Sequence, residues 1–307
     1  MVPIIVVVKI LQELGAIEYL AAPLGPVMAL MGLPPSLGLA WATAMLSNIY
    51  AGLVVFQALA AGAGPLSVAQ VTVLAVLMLF AHSLLVEGQV TKKCGVSFLG
   101  QNGLRILGAL GCAWLTHVTL DAGGLLPQPA VMLWLPPRPE ATLAGWAFGE
   151  VRNLGSIFLV ILALMGLMRL LNALGLTRLL EWLLTPFLRL MGIGPAAATV
   201  TVIGMTMGLT YGGGLIIHET RAGHISGRDV FAAVSLMSLS HALIEDTLLL
   251  SLIGASPWGT LGARLLFSLV VVAALSRWGR VASGVTPVRA DSPPAPSSRT
   301  PADSRRS

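Results

Sequence analysis

Long apolar runs separated by short polar or glycine-rich breaks dominate the chain. Val68 to Val86, Leu154 to Met168 and Leu261 to Leu275 carry few or no charges. Each is about as long as a helix needs to be to cross a ~30 Å hydrocarbon core. Continuous runs of this kind do not alternate every second residue, which excludes a β-barrel, the other fold that satisfies all its backbone groups in lipid. The pattern predicts eight helical elements, at 1–31, 36–59, 67–90 and 98–119, then at 154–192, 195–217, 230–252 and 258–276.

Those eight elements form two sets of four. Lys9 to Pro35 lies over Arg169 to Pro195 at an offset of 160, with ten identities in 27 positions, including Gly15 with Gly175, Pro26 with Pro186, and Met31-Gly32 with Met191-Gly192. Leu77 to Leu107 lies over Leu236 to Leu266 at an offset of 159, with ten identities in 31 positions. There His82 meets His241, Glu87 meets Asp246 and Arg105 meets Arg264. Matched leucines say little in apolar helices, but matched His, Arg, Gly and Pro point to duplication. The predicted organisation is a first repeat (1–119), a Pro/Gly-rich connector (120–153) with Trp134 and Trp146 suited to a membrane interface, a second repeat (154–278), and a disordered basic tail (279–307). Met1 aligns with Ile161, inside the first helix of the second repeat, so the first helix of copy one is shorter or the true start lies upstream.

Composition agrees with the hydropathy. Of 307 residues 56% are apolar and 10% charged, against about 25% charged in soluble domains, and the mean hydropathy is +0.86. The chain is an all-α, polytopic membrane protein. Its net charge of +5 resides mostly in loops and at the C-terminus, as membrane topology requires, and calls for no nucleic acid. Val2 to Val8 has no basic segment before it and reads as mature protein, not as a signal peptide.

Loop charge also predicts orientation. In copy one the loop at 60–66 is uncharged and the next holds Lys92 and Lys93; in copy two the order reverses, with Arg221 and Arg228 in the loop at 218–229 and no charge at 253–259. By the positive-inside rule the two copies run in opposite directions, with the C-terminus (Arg277, Arg280, Arg289) in the cytoplasm. Inverted repeats of this kind are the plan of many secondary transporters, whose solute sites lie where the copies meet. The segments 16–31 and 176–191 are amphipathic, and crossing or lying in the interface are both open for them.

Ionisable groups inside apolar spans are the candidate chemistry, since each costs roughly 2.5–3.5 kcal/mol at the bilayer centre unless it faces a partner or water. These are His82 and Glu87, then His241, Glu245 and Asp246. His241 and Glu245, four apart, are expected to share a helix face and to hold a proton, a cation or a polar solute, with protonation coupled to movement. The plainer reading is that these groups satisfy one another between packed helices. Arg105 is expected to pair with Glu87, and Arg264 with Glu245 or Asp246, as structural locks. The second elements carry Asn48 and Tyr50 in SNIYAG, and Tyr211 with Gly212, Gly213 and Gly214 in TYGGG. Three successive glycines predict an unwound turn that offers backbone groups to a solute, against the alternative of close helix packing.

Catalytic and metal motifs are incomplete. His218-Glu219 and His224 have H-E-x4-H spacing, not the zinc-protease H-E-x-x-H, and no P-loop is present. Cys94 and Cys112 have no metal or disulfide spacing. The expectation is therefore a non-enzyme without cofactor or metal.

The stretches YGGGLIIHETRAGHISGRDVF and SLSHALIEDTLLL resemble the nucleoside recognition, or Gate, membrane family, which also includes spore maturation proteins, gate segments of nucleoside transporters and the membrane half of ferrous iron permeases. The resemblance spans roughly 1–119 and 154–278. It implies a bacterial or archaeal cytoplasmic-membrane protein with paired gate repeats, and marks Tyr211, Gly212, Gly213, His241, Glu245 and Asp246 as positions of the recurring pattern. The expected function is a transporter or gate for a small polar solute or ion, nucleoside-like by the family name, in contact with lipid and open to homo-oligomerisation. The alternative is an accessory or scaffolding membrane subunit.

Overall fold

The computed structural model describes residues 2–60, 62–134 and 142–277. Met1, Arg280, Arg289 and the tail predicted at 279–307 lie outside them. Among the described residues all regular elements are helical, with one isolated bridge between Ser67 and Pro129. The first half comprises α1 (Val2–Glu13), α2 (Ile17–Ala21), a 3-10 turn (Ala22–Leu24), α3 (Gly25–Leu30), α4 (Leu37–Leu46), α5 (Ile49–Ala60), α6 (Val68–Phe80), α7 (Leu84–Lys93) and α8 (Phe98–Ala122). The second comprises α9 (Leu143–Ala173), α10 (Leu176–Leu190), α11 (Pro195–Met207), α12 (Leu209–Arg221), α13 (Gly227–Ser240), α14 (Leu243–Ser251) and α15 (Pro257–Arg277). Five lengths are long and apolar enough to cross a bilayer: Val68–Lys93, Phe98–Ala122, Leu143–Ala173, Gly227–Ser251 and Pro257–Arg277.

Start signals are local and recur in matched places. Ser67 and Gln70 form a reciprocal capping box at α6, Ser97 caps α8, and Ser226 caps α13. Each supplies a side-chain oxygen to an orphan backbone N–H of the first turn. Ser256, the counterpart of Ser97, accepts from Gly259 N at the start of α15.

Four predicted spans are interrupted. The 67–90 element breaks at Ala81–Ser83 between α6 and α7, and the 230–252 element at His241–Ala242 between α13 and α14. Ser83 (φ 49°, ψ 32°) and its counterpart Ala242 (φ 46°, ψ 39°) both sit in the left-handed region, which disfavours side chains with a Cβ. The same strained turn at matched positions shows that the surroundings impose it. The 36–59 and 195–217 elements break at Ser47-Asn48 and at Gly208.

The glycine run does not unwind. Gly212, Gly213 and Gly214 lie inside continuous α12, and the break falls earlier, at Gly208 (φ 100°). Packing is the reason. A Cβ on Gly212 would stand 2.6 Å from Gly204 Cα and 2.6 Å from Met237 Sδ, and one on Gly213 would stand 2.7 Å from Val90. Gly52, the counterpart of Gly212, meets Ala44 and Met78 in the same way, each at 2.7 Å. Backbones approach there because a side chain is missing, so the packing alternative is the correct one.

Two further expectations are corrected. Helix extends into the predicted connector from both sides, as α8 runs to Ala122 and α9 starts at Leu143. Trp134 is buried and not interfacial: its carbonyl accepts from Gln57 Nε2 at 3.2 Å and its N–H donates to Leu252 O at 3.2 Å. At 15 residues α10 is about 22 Å long, too short to cross on its own. It buries Leu184 and Leu188, with Glu181 on the same face accepting from Thr199 Oγ1 at 2.8 Å, and leaves Arg178 and Arg189 exposed.

Replacing Gly212 by Ala is expected to cost about 1–3 kcal/mol through overpacking, seen as a lower unfolding temperature in detergent. Gly214→Ala, where a Cβ meets open space, should be neutral or slightly stabilising.

Candidate functional site

A helix that ends at membrane depth leaves its last carbonyls without partners, and lipid supplies none. At the end of α6, Arg105 Nε donates to Phe80 O (2.8 Å) and Arg105 Nη2 to His82 O (2.9 Å). His82 Nδ1 donates to Met78 O at 2.8 Å, and Trp41 Nε1 to Leu77 O at 3.1 Å. At the end of α13, Arg264 Nε donates to Leu239 O (2.8 Å) and His241 Nδ1 to Met237 O (2.9 Å). Both arginines are 0% exposed. Each cation also faces the negative end of a helix dipole, which favours it.

Carboxylates occupy the opposite side of each break. Glu87 lies in the first turn of α7, and Glu245 and Asp246 lie in that of α14, where the positive helix end suits them. Here the halves differ. Arg105 Nη1 reaches Glu87 Oε2 at 2.5 Å, whereas Arg264 Nη1 stands 3.6 Å from Asp246 Oδ2, beyond a hydrogen bond. Among the described residues Arg264 Nη1 and Nη2, Asp246 Oδ2 and Thr247 Oγ1 are buried with no hydrogen-bond partner. The Arg105–Glu87 lock is saturated, whereas the Arg264–Asp246 pair keeps spare donors and acceptors.

The two breaks touch. His82 Nε2 and His241 Nε2 are 3.1 Å apart, with their rings tilted by 58°. Glu87 Oε1 stands 3.5 Å from the first and 3.3 Å from the second. Equivalent residues of the two copies thus face one another, each 4% exposed.

The other predicted site residues are spread around this centre. Asn48 Oδ1 accepts from Ala51 N at 2.9 Å and caps α5 across its break. Tyr50 lies beside Glu245 and Asp246. Gly212 and Gly213 are packing positions, while Tyr211 (53% exposed) and Gly214 face outward. His241 and Glu245 do not share a helix face, because the break falls between them and turns His241 toward His82. Sequence reasoning missed Gln101, whose Nε2 donates to Ser235 Oγ at 2.8 Å between the copies, and the carbonyl-binding role of the arginines. The available signal was a polar side chain inside an apolar span.

Residues 1–96 and 154–256 match the family model described as Gate, nucleoside recognition. The chain belongs to the Gate family. An uncharacterized membrane protein of Bacillus subtilis (strain 168), YvoD, is 28% identical over 278 residues, which cover 89% of this chain and 87% of that protein. No solved structure matches the chain. The Gate-matching segments contain His82, Glu87, His241, Glu245 and Asp246, whereas Arg105 and Arg264 lie beyond both, so the clamps on the Gate breaks come from the helix that follows each segment.

Breaking a buried ion pair by removing one partner costs roughly 3–5 kcal/mol, because the other charge is left uncompensated. Arg105→Gln should show a loss of that size in detergent unfolding. Arg264→Gln should lose less, since Asp246 Oδ2 is already unpartnered.

Proposed function

We propose that the protein is a transporter or gate for a small polar solute or ion, and that the solute passes along the seam where the breaks of the two Gate segments meet. The carrying observation is the polar cluster of buried His82, His241 and Asp246 with the partly buried Glu87, at the crossing of two interrupted spans. Charged groups at that depth are retained where they bind or conduct. Interrupted helices are the usual means of presenting backbone and side-chain groups to a solute in a membrane. Tyr50 and Glu245 extend the path on the α5 and α14 side. Membership of a membrane family associated with gating supports carriage over bond-making chemistry.

In this reading 1–119 and 154–278 are inverted copies. Support comes from which ends lie together. Ser256 N donates to Thr72 Oγ1 and Leu133 N to Leu252 O, so the start of α6 lies by the end of α14. The end of α7 lies by α12, with Cys94 Sγ against Gly213 O, so α6–α7 and α13–α14 run oppositely. In this reading Lys92, Lys93, Arg221 and Arg228 share one end, which the positive-inside rule would assign to the cytoplasm. The full hydrogen bonding of Arg105 favours a purely structural role for that residue, and an accessory subunit would need no more than such locks.

Reconstituted protein should take up radiolabelled uridine or a monovalent cation into proteoliposomes. Glu245→Gln with Asp246→Asn should lower the initial rate at least about tenfold while leaving the gel-filtration profile unchanged. Undiminished flux in the double variant would remove both residues from the path. Absence of flux together with a stoichiometric partner on purification would favour the accessory reading.

A further inference from the structure

The contact between the two histidines has a chemical requirement. Each Nδ1 lies within 2.9 Å of a backbone carbonyl, Met78 O or Met237 O. A carbonyl only accepts, so both Nδ1 atoms carry hydrogen, and in the neutral rings both Nε2 atoms present lone pairs. Those lone pairs face one another at 3.1 Å, with Glu87 Oε1 at 3.3 and 3.5 Å from them. Acceptors converge there in the neutral rings, and a bound metal ion or a proton on one Nε2 reconciles them.

We propose that His82, His241 and Asp246 form a binding site for one divalent transition-metal cation that ties the break of α6–α7 to the break of α13–α14. Two imidazole nitrogens 3.1 Å apart, each about 2.0–2.1 Å from one ion, subtend about 100° at it, which suits tetrahedral or octahedral coordination. Asp246 completes a set whose ligand atoms all lie within 4.8 Å of one another. Two ligands on a single ion stand about 3–4 Å apart, so a small side-chain adjustment closes the set. Asp246 is free to make it: it is 7% exposed, its Oδ2 has no hydrogen-bond partner among the described residues, and Arg264 holds it only at 3.6 Å.

The surroundings are those of a metal site. Both histidines donate the second ring N–H to a backbone carbonyl, which fixes the tautomer and aims Nε2 inward. Glu87 adds negative charge beside both imidazoles through Oε1 while Oε2 remains bound to Arg105. Two neutral imidazoles and a carboxylate select borderline divalent ions such as Co2+ and Zn2+ over Mg2+ or Ca2+, which prefer oxygen. The site also crosses between the copies, one histidine from each, so a bound ion would cross-link the seam. It lies on the same seam as the proposed path but does not depend on transport.

The test is binding of Co2+ and Zn2+ to the full-length protein in detergent, freed of chelators. One Co2+ per chain is expected, with a visible ligand-field band that Zn2+ abolishes and Mg2+ leaves in place. X-ray absorption of the Zn2+ form should show two imidazoles at about 2.0–2.1 Å. His82→Gln with His241→Gln should remove binding. Asp246→Asn should weaken it roughly 10–100-fold. No stoichiometric Co2+ or Zn2+ on the wild type, or binding that survives the double substitution, would overturn the site. Should the double variant fail to fold, the wild-type absorption spectrum decides, and ligation without imidazole counts against the proposal. Metal binding without flux of uridine or monovalent cations leaves the site standing and removes the path; flux without metal binding does the reverse.

Discussion

A helix interrupted inside a bilayer must find donors for the carbonyls it exposes, and in this chain Arg105 and Arg264 provide them. Their Nε atoms make the same 2.8 Å bond to Phe80 O and Leu239 O, and His82 and His241 take the carbonyls two residues further back, of Met78 and Met237. Those donors satisfy the carbonyls freed beside the left-handed turns at Ser83 and Ala242, where the two histidines face each other. Burying a guanidinium is expensive on its own. The negative helix end and the carboxylate across the break offset that cost in the first copy, and only partly in the second.

That inequality gives the seam its chemical character. Glutamate at 87 reaches its arginine, whereas aspartate at 246, one methylene shorter, stops at 3.6 Å. The difference between Glu87 and Asp246 at matched positions accompanies a closed lock at one break and unused donors and acceptors at the other. A perfectly symmetric pair would have saturated both locks. The spare groups of the second copy are the partners that the proposed function assigns to a solute or ion, with Tyr50 and Glu245 beside them.

The hydropathy pattern and the matched His, Arg, Gly and Pro positions were enough to place nearly every helix and to pair Arg105 with Glu87. The sequence pointed to the break at Asn48, but not to those at Ala81–Ser83 and His241–Ala242. Ala81-His82-Ser83 and Ser240-His241-Ala242 contain no glycine or proline, and their freed carbonyls are bonded by arginines 25 residues on and by the histidines of the turns themselves. Local propensity cannot register such tertiary bonds. The glycine run misled for the opposite reason: Gly212 and Gly213 look like a helix breaker, yet they are small because Gly204, Met237 and Val90 press against them. The four-residue spacing of His241 and Glu245 failed with the break between them. Trp134 failed because its backbone is tied to Gln57 and Leu252.

The central claim is that two oppositely directed copies meet at these breaks, and side-specific labelling tests it most directly. In a background lacking Cys94 and Cys112, single cysteines at Gly62, Lys93, His224 and Trp258 are treated with a membrane-impermeant maleimide in intact cells and again after permeabilisation. The account predicts that Gly62→Cys and Trp258→Cys react in intact cells, and that Lys93→Cys and His224→Cys react only after permeabilisation. Reaction of Lys93→Cys and Trp258→Cys from the same side would contradict it.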